Sequence, residues 1–180
     1  MVELFTRAAA GQLVGLIALV LCIVAFASKR DDRLLFILIF ANVAFAVQFA
    51  LFEAWVAAGI SALIIVRITL ARRMEGNWIV MSAMLIANVL VAWATWEEIV
   101  DIVPLAAGVL GTVAMFMLRG VPMRCVLAVA ALCWVAANAI SGSAGAMIAE
   151  ILIFFTNVVT IVRLIQDRRA DRGRTQKNPA

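Results

Sequence analysis

The chain has 180 residues, of which 66% are hydrophobic and 14% are charged, and its mean hydropathy is +1.10. Water-soluble domains are roughly half apolar and about a quarter charged, so this composition excludes a soluble fold. Seven membrane helices of about 20 residues each would take up most of the chain. That leaves room for short connections and a tail but for no extramembrane domain.

The residue counts also exclude several kinds of functional site. The sequence has no histidine and no tyrosine, and histidine is the most common metal ligand and general base. Its two lysines, Lys29 and Lys177, lie outside the apolar runs, which excludes retinal bound to a buried lysine. Cys22, Cys125 and Cys133 show no C-x-x-C spacing, and no serine has an evident base beside it. We therefore expect no metal, no cofactor and no enzymatic activity.

The apolar runs, in chain order, cover about residues 10–28, 34–52, 54–71, 78–96, 102–118, 124–142 and 145–166. Each run is long enough to cross a bilayer as a helix. The alternation at period two that a membrane β-barrel requires is missing. We predict an all-α membrane protein with seven transmembrane helices, and its principal partner is the lipid bilayer.

Basic residues collect at the odd-numbered connections between these runs. Fourteen of the 15 Lys and Arg residues lie there or from Arg163 to Lys177, and only Arg7 lies at the other side. By the positive-inside rule, the N-terminus is then outside and the C-terminus is cytoplasmic. The net charge of +4 therefore reflects topology and does not indicate nucleic-acid binding. Four acidic residues fall on the outer side: Glu53, Glu97, Glu98 and Asp101.

The second half of the chain repeats the first at a spacing of 96 residues. This shift superimposes Gly15 on Gly111, Asn42 on Asn138, and Arg67 on Arg163. An odd linker helix restores the orientation of the second half, so the two halves are parallel repeats. We predict a 3+1+3 arrangement, with a first three-helix repeat at 1–73, a linker helix at 74–97, a second repeat at 98–168 and a basic cytoplasmic tail at 169–180. The alternative is that duplication merely built a stable bundle.

Small residues recur at four-residue spacing in the first helix of each repeat. Helix 1 carries Gly11 and Gly15, and helix 5 carries Ala107 and Gly111. Such spacing allows membrane helices to approach closely. The motif predicts either tight packing within each three-helix unit or the contact face of a homo-oligomer.

Amides inside the apolar runs are the first candidates for a site. A buried amide is costly without a partner, so Asn42 and Asn138 should face the bundle interior. They are either a symmetric pair of solute contacts or bridges between helices, each worth about 0.6 to 2 kcal/mol. Trp134 precedes Asn138 by one turn and shares its face, which suits an aromatic wall or plain packing.

Helix 7 has the richest polar face, with Glu150, Asn157 and Thr160 at helical spacing and Arg163 beside them. Glu150 is either an inward carboxylate that takes up a proton or an ordinary solvated helix start. Arg67 and Arg163 lie near cytoplasmic helix ends, where snorkelling to the interface is expected. Their repetition at equivalent positions keeps a gating role open.

The chain also resembles a known family. Three segments carry the resemblance: Met123-Arg124-Cys125-Val126, Cys133-Trp134-Val135, and Gly142-Ser143-Ala144-Gly145 followed by Met147-Ile148 and Glu150. They are similar to the YgjV-type bacterial inner-membrane protein family, and the resemblance covers nearly the whole chain. It implies a multi-pass protein of the bacterial inner membrane.

That family is distantly similar to the PQ-loop and SWEET-type transporters, which have a 3+1+3 layout and an outside N-terminus. The likeness implies that a substrate-contacting asparagine lies midway along the third helix of each repeat. Asn157 takes that position in the second repeat, and Ser61 replaces the asparagine in the first. The Pro-Gln pair and the helix-kinking prolines of those transporters are absent.

The sequence thus indicates an inner-membrane protein of SWEET-like architecture that moves a small polar solute by alternating access. The alternative is a non-transporting membrane scaffold or partner-binding protein. A mid-membrane cavity lined by Asn42, Asn138 and Asn157 favours transport. A dry core in which these amides bond to neighbouring helices favours the scaffold.

Overall fold

The structure, a computed structural model, describes residues 2–27, 31–74 and 76–177. Within these residues the chain forms seven α-helices and one 3₁₀ turn: α1 Val2–Ala27, α2 Asp31–Leu51, α3 Trp55–Arg73, α4 Trp78–Thr95, the turn Ile99–Asp101, α5 Ile102–Met117, α6 Gly120–Ile140 and α7 Ala144–Lys177. The predicted all-helical fold is confirmed. Each helix contains one of the apolar runs.

The helices differ in how much of their length is apolar. Helices α1, α4, α6 and α7, and α5 together with the 3₁₀ turn before it, provide stretches long and apolar enough to cross a membrane. The apolar parts of α2 and α3 are shorter, Phe36–Leu51 and Trp55–Ala71. Helix α7 has an apolar stretch of 23 residues, Ala144–Gln166, and continues as a helix to Lys177. Most of the predicted tail at 169–180 is therefore a helical extension.

Six of the helices form a closed ring. Helices α1, α2 and α3 pack side by side, α3 packs against α5, helices α5, α6 and α7 follow in order, and α7 returns to α1. Helix α4 lies outside the ring, where it contacts α3 and α5. The interior of the bundle is therefore enclosed by two groups of three helices.

The connections fall at two opposite ends of the bundle. We call one the acidic end, formed by the α2–α3, α4–α5 and α6–α7 connections and carrying Glu53, Glu97, Glu98 and Asp101. The other is the basic end, where α3 ends and α4 begins and where α5 ends and α6 begins. Arg7 of α1 reaches the acidic end, where its Nη1 donates to Oε1 of Glu53 at 3.0 Å.

Local signals in the sequence explain where two of the helices begin. Asn77 caps α4, because its side-chain oxygen accepts hydrogen bonds from the backbone N–H groups of Ile79 and Val80. Before α5, an Asp101 oxygen accepts from the backbone N–H groups of Glu97 and Glu98. This bonding holds the α4–α5 connection against the start of α5.

The ring encloses an apolar core rich in alanine. Its larger members include Phe45, Phe49, Ile60 and Trp134, and small residues such as Ala18 fill the remaining space. The outer faces of the helices carry exposed Leu, Ile, Val and Trp side chains, as expected of a surface that faces lipid.

Glycines bring α1 into close contact with α2 and α7. A Cβ on Gly11 would overlap the ring of Phe52, which directly follows α2, and a Cβ on Gly145 would lie 2.9 Å from the carbonyl carbon of Gly15. Gly11 thus packs within the first three-helix unit, as the first interpretation of the motif expects, whereas Gly15 also meets α7 of the other unit. The homo-oligomer stays a prediction.

The helix ends do not follow the 96-residue spacing of the sequence. The ends of α2 and α6, Leu51 and Ile140, are 89 residues apart, as are the starts of α3 and α7, Trp55 and Ala144. The difference of seven residues is about two helical turns. Residues aligned by the sequence shift therefore lie on similar faces but at depths that differ by roughly 10 Å.

Candidate functional site

Ten polar or charged side chains are buried among the described residues: Asn42, Gln48, Ser61, Arg67, Asn88, Thr112, Asn138, Ser143, Glu150 and Asn157. Buried polar groups in an apolar bundle mark its packing contacts or its functional sites. Six of the ten belong to three groups that link helices: Gln48 with Asn138, Arg67 with Asn88 and Thr112, and Asn157 with Arg124.

The first group is an amide pair that joins α2 to α6 near the acidic end. Nε2 of Gln48 donates to Oδ1 of Asn138 at 3.3 Å, and Nδ2 of Asn138 donates to the carbonyl of Trp134 at 2.9 Å. Oε1 of Gln48 is buried and has no hydrogen-bond partner. The rings of Phe49 and Trp134 pack beside the pair, with centroids 5.7 Å apart. The pair therefore links the two groups of three helices.

A cleft of about 260 Å³ lies at the acidic end, next to the amide pair. It is lined by residues 52–54 and 57 of the α2–α3 region, by residues of the α4–α5 connection, and by Ala137, Ile140 and Ser141 at the end of α6. Both groups of three helices therefore contribute to it. Its four carboxylates belong to Glu53, Glu97, Glu98 and Asp101, and the described residues hold no metal-binding group of acidic, Cys or His side chains.

The second group, which we call the arginine cluster, consists of Arg67, Asn88 and Thr112, on α3, α4 and α5. Nη1 of Arg67 donates to the carbonyl of Gly108 at 3.2 Å, and Oγ1 of Thr112 donates to the same carbonyl at 2.7 Å. Nδ2 of Asn88 donates to Oγ1 of Thr112 at 3.3 Å. Arg67 is 7% exposed, and its Nε has no hydrogen-bond partner.

The third group joins α6 to α7 toward the basic end. Nη1 of Arg124 donates to Oδ1 of Asn157 at 3.3 Å, and Nδ2 of Asn157 donates to the carbonyl of Ile153. Thr160 lies one turn further on, half-buried, and its hydroxyl donates to the carbonyl of Thr156. The hydrogen-bonding groups of Asn157 and Thr160 therefore bond mainly to carbonyls of α7 itself, and Arg124 of α6 supplies the one bond from another helix.

Several predicted site residues lie in the bundle interior but do not meet. Asn42 lies nine residues before the end of α2 and bonds to the carbonyl of Leu38, whereas Asn138 lies two residues before the end of α6. The two amides are therefore at different depths, and the partner of Asn138 is Gln48. Ser61 is buried in α3, and Glu150 is buried in α7 close to Cys22 of α1.

The two aligned arginines have different surroundings. Arg163 is exposed on α7, which suits the predicted snorkelling. For Arg67 that prediction is wrong, because its side chain points back along α3 toward the middle of α5 and is buried. Gly108 and Gly111 provide the space, since a Cβ at either position would overlap the arginine cluster.

Sequence reasoning missed four residues of these groups, Gln48, Asn88, Thr112 and Arg124, and it also missed the buried Ser143 outside them. The signal for Gln48 and Asn88 was present, because each is an amide inside an apolar run. Thr112 gives a weaker signal, because threonine bonds readily to its own helix.

The chain is similar over most of its length to a known family of membrane proteins. The profile of the family Imp-YgjV, described as a bacterial inner membrane protein, matches residues 9–168. The chain belongs to this family. The inner membrane protein YgjV of Escherichia coli strain K12 is 27% identical over 171 residues, which cover 94% of this chain and 93% of that protein. No solved structure matches the chain.

Family membership and the apolar helices together establish the location of the protein. It is an integral, multi-pass protein of the bacterial inner membrane.

Proposed function

We propose that the protein moves a small polar solute across the inner membrane by alternating access. In this proposal all seven helices span the bilayer in a SWEET-like 3+1+3 arrangement, with the acidic end outside and the basic end in the cytoplasm. The interior enclosed by the six-helix ring contains the pathway. Helix α4 joins the two halves without lining it.

The distribution of charge supports this orientation. The basic residues at helix ends and connections collect at one end, as expected of the cytoplasmic side. Arg7, which is the exception, pairs with Glu53 at the acidic end. Its charge is therefore balanced locally, so it does not oppose the assignment.

The order of helix contacts supports a repeat. Exchange of α1, α2 and α3 with α5, α6 and α7 turns the contact of α3 with α5 into the contact of α7 with α1, and both are present. This equivalence is expected of two parallel halves related by a twofold axis along the membrane normal. The seven-residue difference in register means that the halves pack at different depths.

The observation that carries the proposal is the cleft at the acidic end next to the Gln48–Asn138 pair. Both halves line it, and the amide pair lies beside it, since Ala137 of the lining directly precedes Asn138. In an alternating-access transporter, one end is open where the halves meet while the other is sealed. The prolines of the described helices lie in the first turns of α5 and α6, so opening requires the halves to move as rigid bodies.

Flux into proteoliposomes tests the proposal. We expect the wild type to transport at least one member of a panel of sugars, small amines, amino acids and small carboxylates above the rate of empty liposomes. Ser141→Trp places a large side chain in the cleft and should abolish that flux. Ala139→Trp, on the exposed face of the same helix, is the matched control and should leave it intact.

Two results would contradict the proposal. If the wild type moves every solute no faster than empty liposomes do, the protein does not transport any member of the panel. Equal flux in Ser141→Trp and Ala139→Trp would mean that the cleft is not part of the transport pathway.

A non-transporting scaffold is the second candidate, and the hydrogen bonds of the asparagines favour it. Oδ1 of Asn138 and Oδ1 of Asn157 each accept from a neighbouring helix, and none of Asn42, Asn138 and Asn157 lines the cleft. For a scaffold, substitution of Asn138 lowers stability and flux is absent in all variants. The same proteoliposome assay therefore separates the two candidates.

A further inference from the structure

The arginine cluster contains a charge that the chain does not balance. Arginine stays protonated in proteins, and Arg67 is more than nine-tenths buried. Among the described residues, the ion pair found is Arg7–Glu53, and no carboxylate lies within ion-pair distance of Arg67. Its single hydrogen bond goes to the neutral carbonyl of Gly108. A buried charge that lacks a partner of opposite sign is costly.

The unused donors of Arg67 lie on one edge of its guanidinium group. Nη1 faces Gly108, whereas Nε has no partner and Nη2 makes no hydrogen bond to the described residues. Nε–H and Nη2–H are parallel and form the fork that binds two oxygens of a carboxylate or a phosphate. The open edge therefore suits an oxyanion better than a spherical halide.

The surroundings of the guanidinium add polar groups, and two glycines of α5 make room for this cluster. Thr112 shares the Gly108 carbonyl with Arg67, and Asn88 bonds to Thr112. Oδ1 of Asn88 lies against Gly108, where a Cβ would be only 2.6 Å away. Gly111 likewise leaves room for the guanidinium, since a Cβ there would lie 2.9 Å from Cζ of Arg67. Larger side chains on α5 would fill the site.

The depth of the cluster separates it from both membrane surfaces. Gly108 and Gly111 each lie six residues from an end of α5, so the guanidinium is near the middle of that helix. The site also lies where α3 of the first half meets α5 of the second. The carboxylates of the acidic end oppose the approach of an anion from that side, and the basic residues of the other end favour it.

We propose that Arg67, with Thr112 and Asn88 beside it, binds a small oxyanion between α3, α4 and α5. The ligand is a small carboxylate or inorganic phosphate held by the Nε–Nη2 edge of the guanidinium. This binding goes beyond the proposed function, because the site holds an anion whether or not the protein moves a solute. Flux results therefore do not decide it.

Binding to purified protein in neutral detergent tests the proposal. Sodium acetate and sodium phosphate are titrated at constant ionic strength set with sodium chloride, and binding is followed by the thermal unfolding midpoint and by calorimetry. We expect a saturable rise in the midpoint for at least one of them. Arg67→Gln should abolish it, and Arg163→Gln, the aligned but exposed arginine, should retain it.

A second variant keeps the test valid if Arg67→Gln fails to fold. Arg67→Lys keeps the charge and loses the fork, so it should fold and bind the same oxyanion about tenfold more weakly or worse, as expected from loss of a hydrogen bond between charged groups. Circular dichroism and size-exclusion profiles in the same detergent establish that each variant is folded.

A lipid phosphate is the other source of the same chemistry. Nanodiscs of phosphatidylcholine and of phosphatidylglycerol distinguish the two sources. If a lipid supplies the phosphate, phosphatidylglycerol suppresses the effect of free oxyanions, and an anionic lipid copurifies with the wild type but not with Arg67→Gln. If the free anion binds, the effect is the same in both nanodiscs.

Two outcomes overturn the proposal. One is a wild type with neither a saturable response to acetate or phosphate nor an anionic lipid that depends on Arg67. The other is an equal response in the wild type and in both Arg67 variants, which would place the anion elsewhere.

Discussion

Inside an apolar helix, an amide has no water to bond and takes the nearest backbone carbonyl. Asn42, Asn88, Asn138 and Asn157 each donate Nδ2 to the carbonyl four residues earlier. This bond uses one donor and leaves the amide oxygen for another helix. Gln48 is the partner that uses it at Asn138. Each of these asparagines therefore bonds to its own helix through Nδ2, and its oxygen is left to bond to a neighbouring helix.

The bond between Gln48 and Asn138 should contribute measurably to stability. We expect Gln48→Met and Asn138→Leu to be coupled by about 1 kcal/mol in the free energy of unfolding, since hydrogen bonds between membrane helices are typically worth this much or less. The measurement is a double-mutant cycle with steric trapping in bicelles.

The control cycle pairs Gln48→Met with Asn42→Leu. Both residues lie in α2, and no hydrogen bond joins them, so their effects should add. Additive effects for Gln48 and Asn138 as well would show that the bond contributes nothing.

Residue-scale reasoning from sequence predicted that Asn42, Asn138 and Asn157 face inward, and all three are buried. It succeeded because the cost of an exposed amide in lipid depends only on the helix face. The sequence could not predict the partner of each amide. Gln48 contacts Asn138 because of how far α2 and α6 are shifted relative to each other along the bundle axis. Arg67 was misjudged for a related reason, because its space comes from Gly108 and Gly111 on another helix.

At the scale of the helices, the contact of α1 with α7 depends on backbone approach. A Cβ on Gly145 would lie 2.9 to 3.1 Å from backbone atoms of Gly15 and Leu16. Backbone atoms cannot rotate away as a side chain can, so any added carbon pushes the two helices apart. The last contact that closes the six-helix ring is thus sensitive to a single methyl group.

We expect Gly145→Ala to lower the free energy of unfolding by about 1–3 kcal/mol, the usual cost of overpacking. The measurement is the thermal midpoint or the unfolding equilibrium in mixed micelles. Ala144→Leu, at the exposed neighbouring position, is the control and should change little. If Gly145→Ala leaves the free energy of unfolding unchanged, α1 and α7 are farther apart than described.

The limits of the duplication signal also belong to this scale. A gapless shift of 96 residues aligned the faces of corresponding helices, but the ends of α2 and α6 are 89 residues apart. Because seven residues make nearly two whole turns, faces agree while depths do not. Sequence periodicity records rotation about the helix axis. Depth is set by where each helix begins and ends, which local signals such as the Asn77 cap decide.

For the whole molecule, the asymmetry of charge between the two ends predicts its orientation. Glu97 lies in the α4–α5 connection and Met74 follows α3 at the opposite end, and both are exposed. In a variant without the native cysteines, Glu97→Cys should react with a membrane-impermeant maleimide on spheroplasts. Met74→Cys should react only after permeabilisation.

The native cysteines must be replaced first, because Cys125 is exposed. If Met74→Cys is labelled on intact spheroplasts and Glu97→Cys is not, the protein has the opposite orientation in the membrane. Equal labelling of both positions would contradict an odd number of spans between them and require a different topology.

Helix α4 contacts the ring mainly through α3 and α5. The covalent link between the two groups of three helices therefore differs from the surfaces that hold them together, which are the α3–α5 and α1–α7 contacts and the Gln48–Asn138 bond between α2 and α6. A gene cut at the short turn before Trp78 would yield two polypeptides that insert independently. Co-expressed from one cell, the fragments should reassemble and copurify as a split protein.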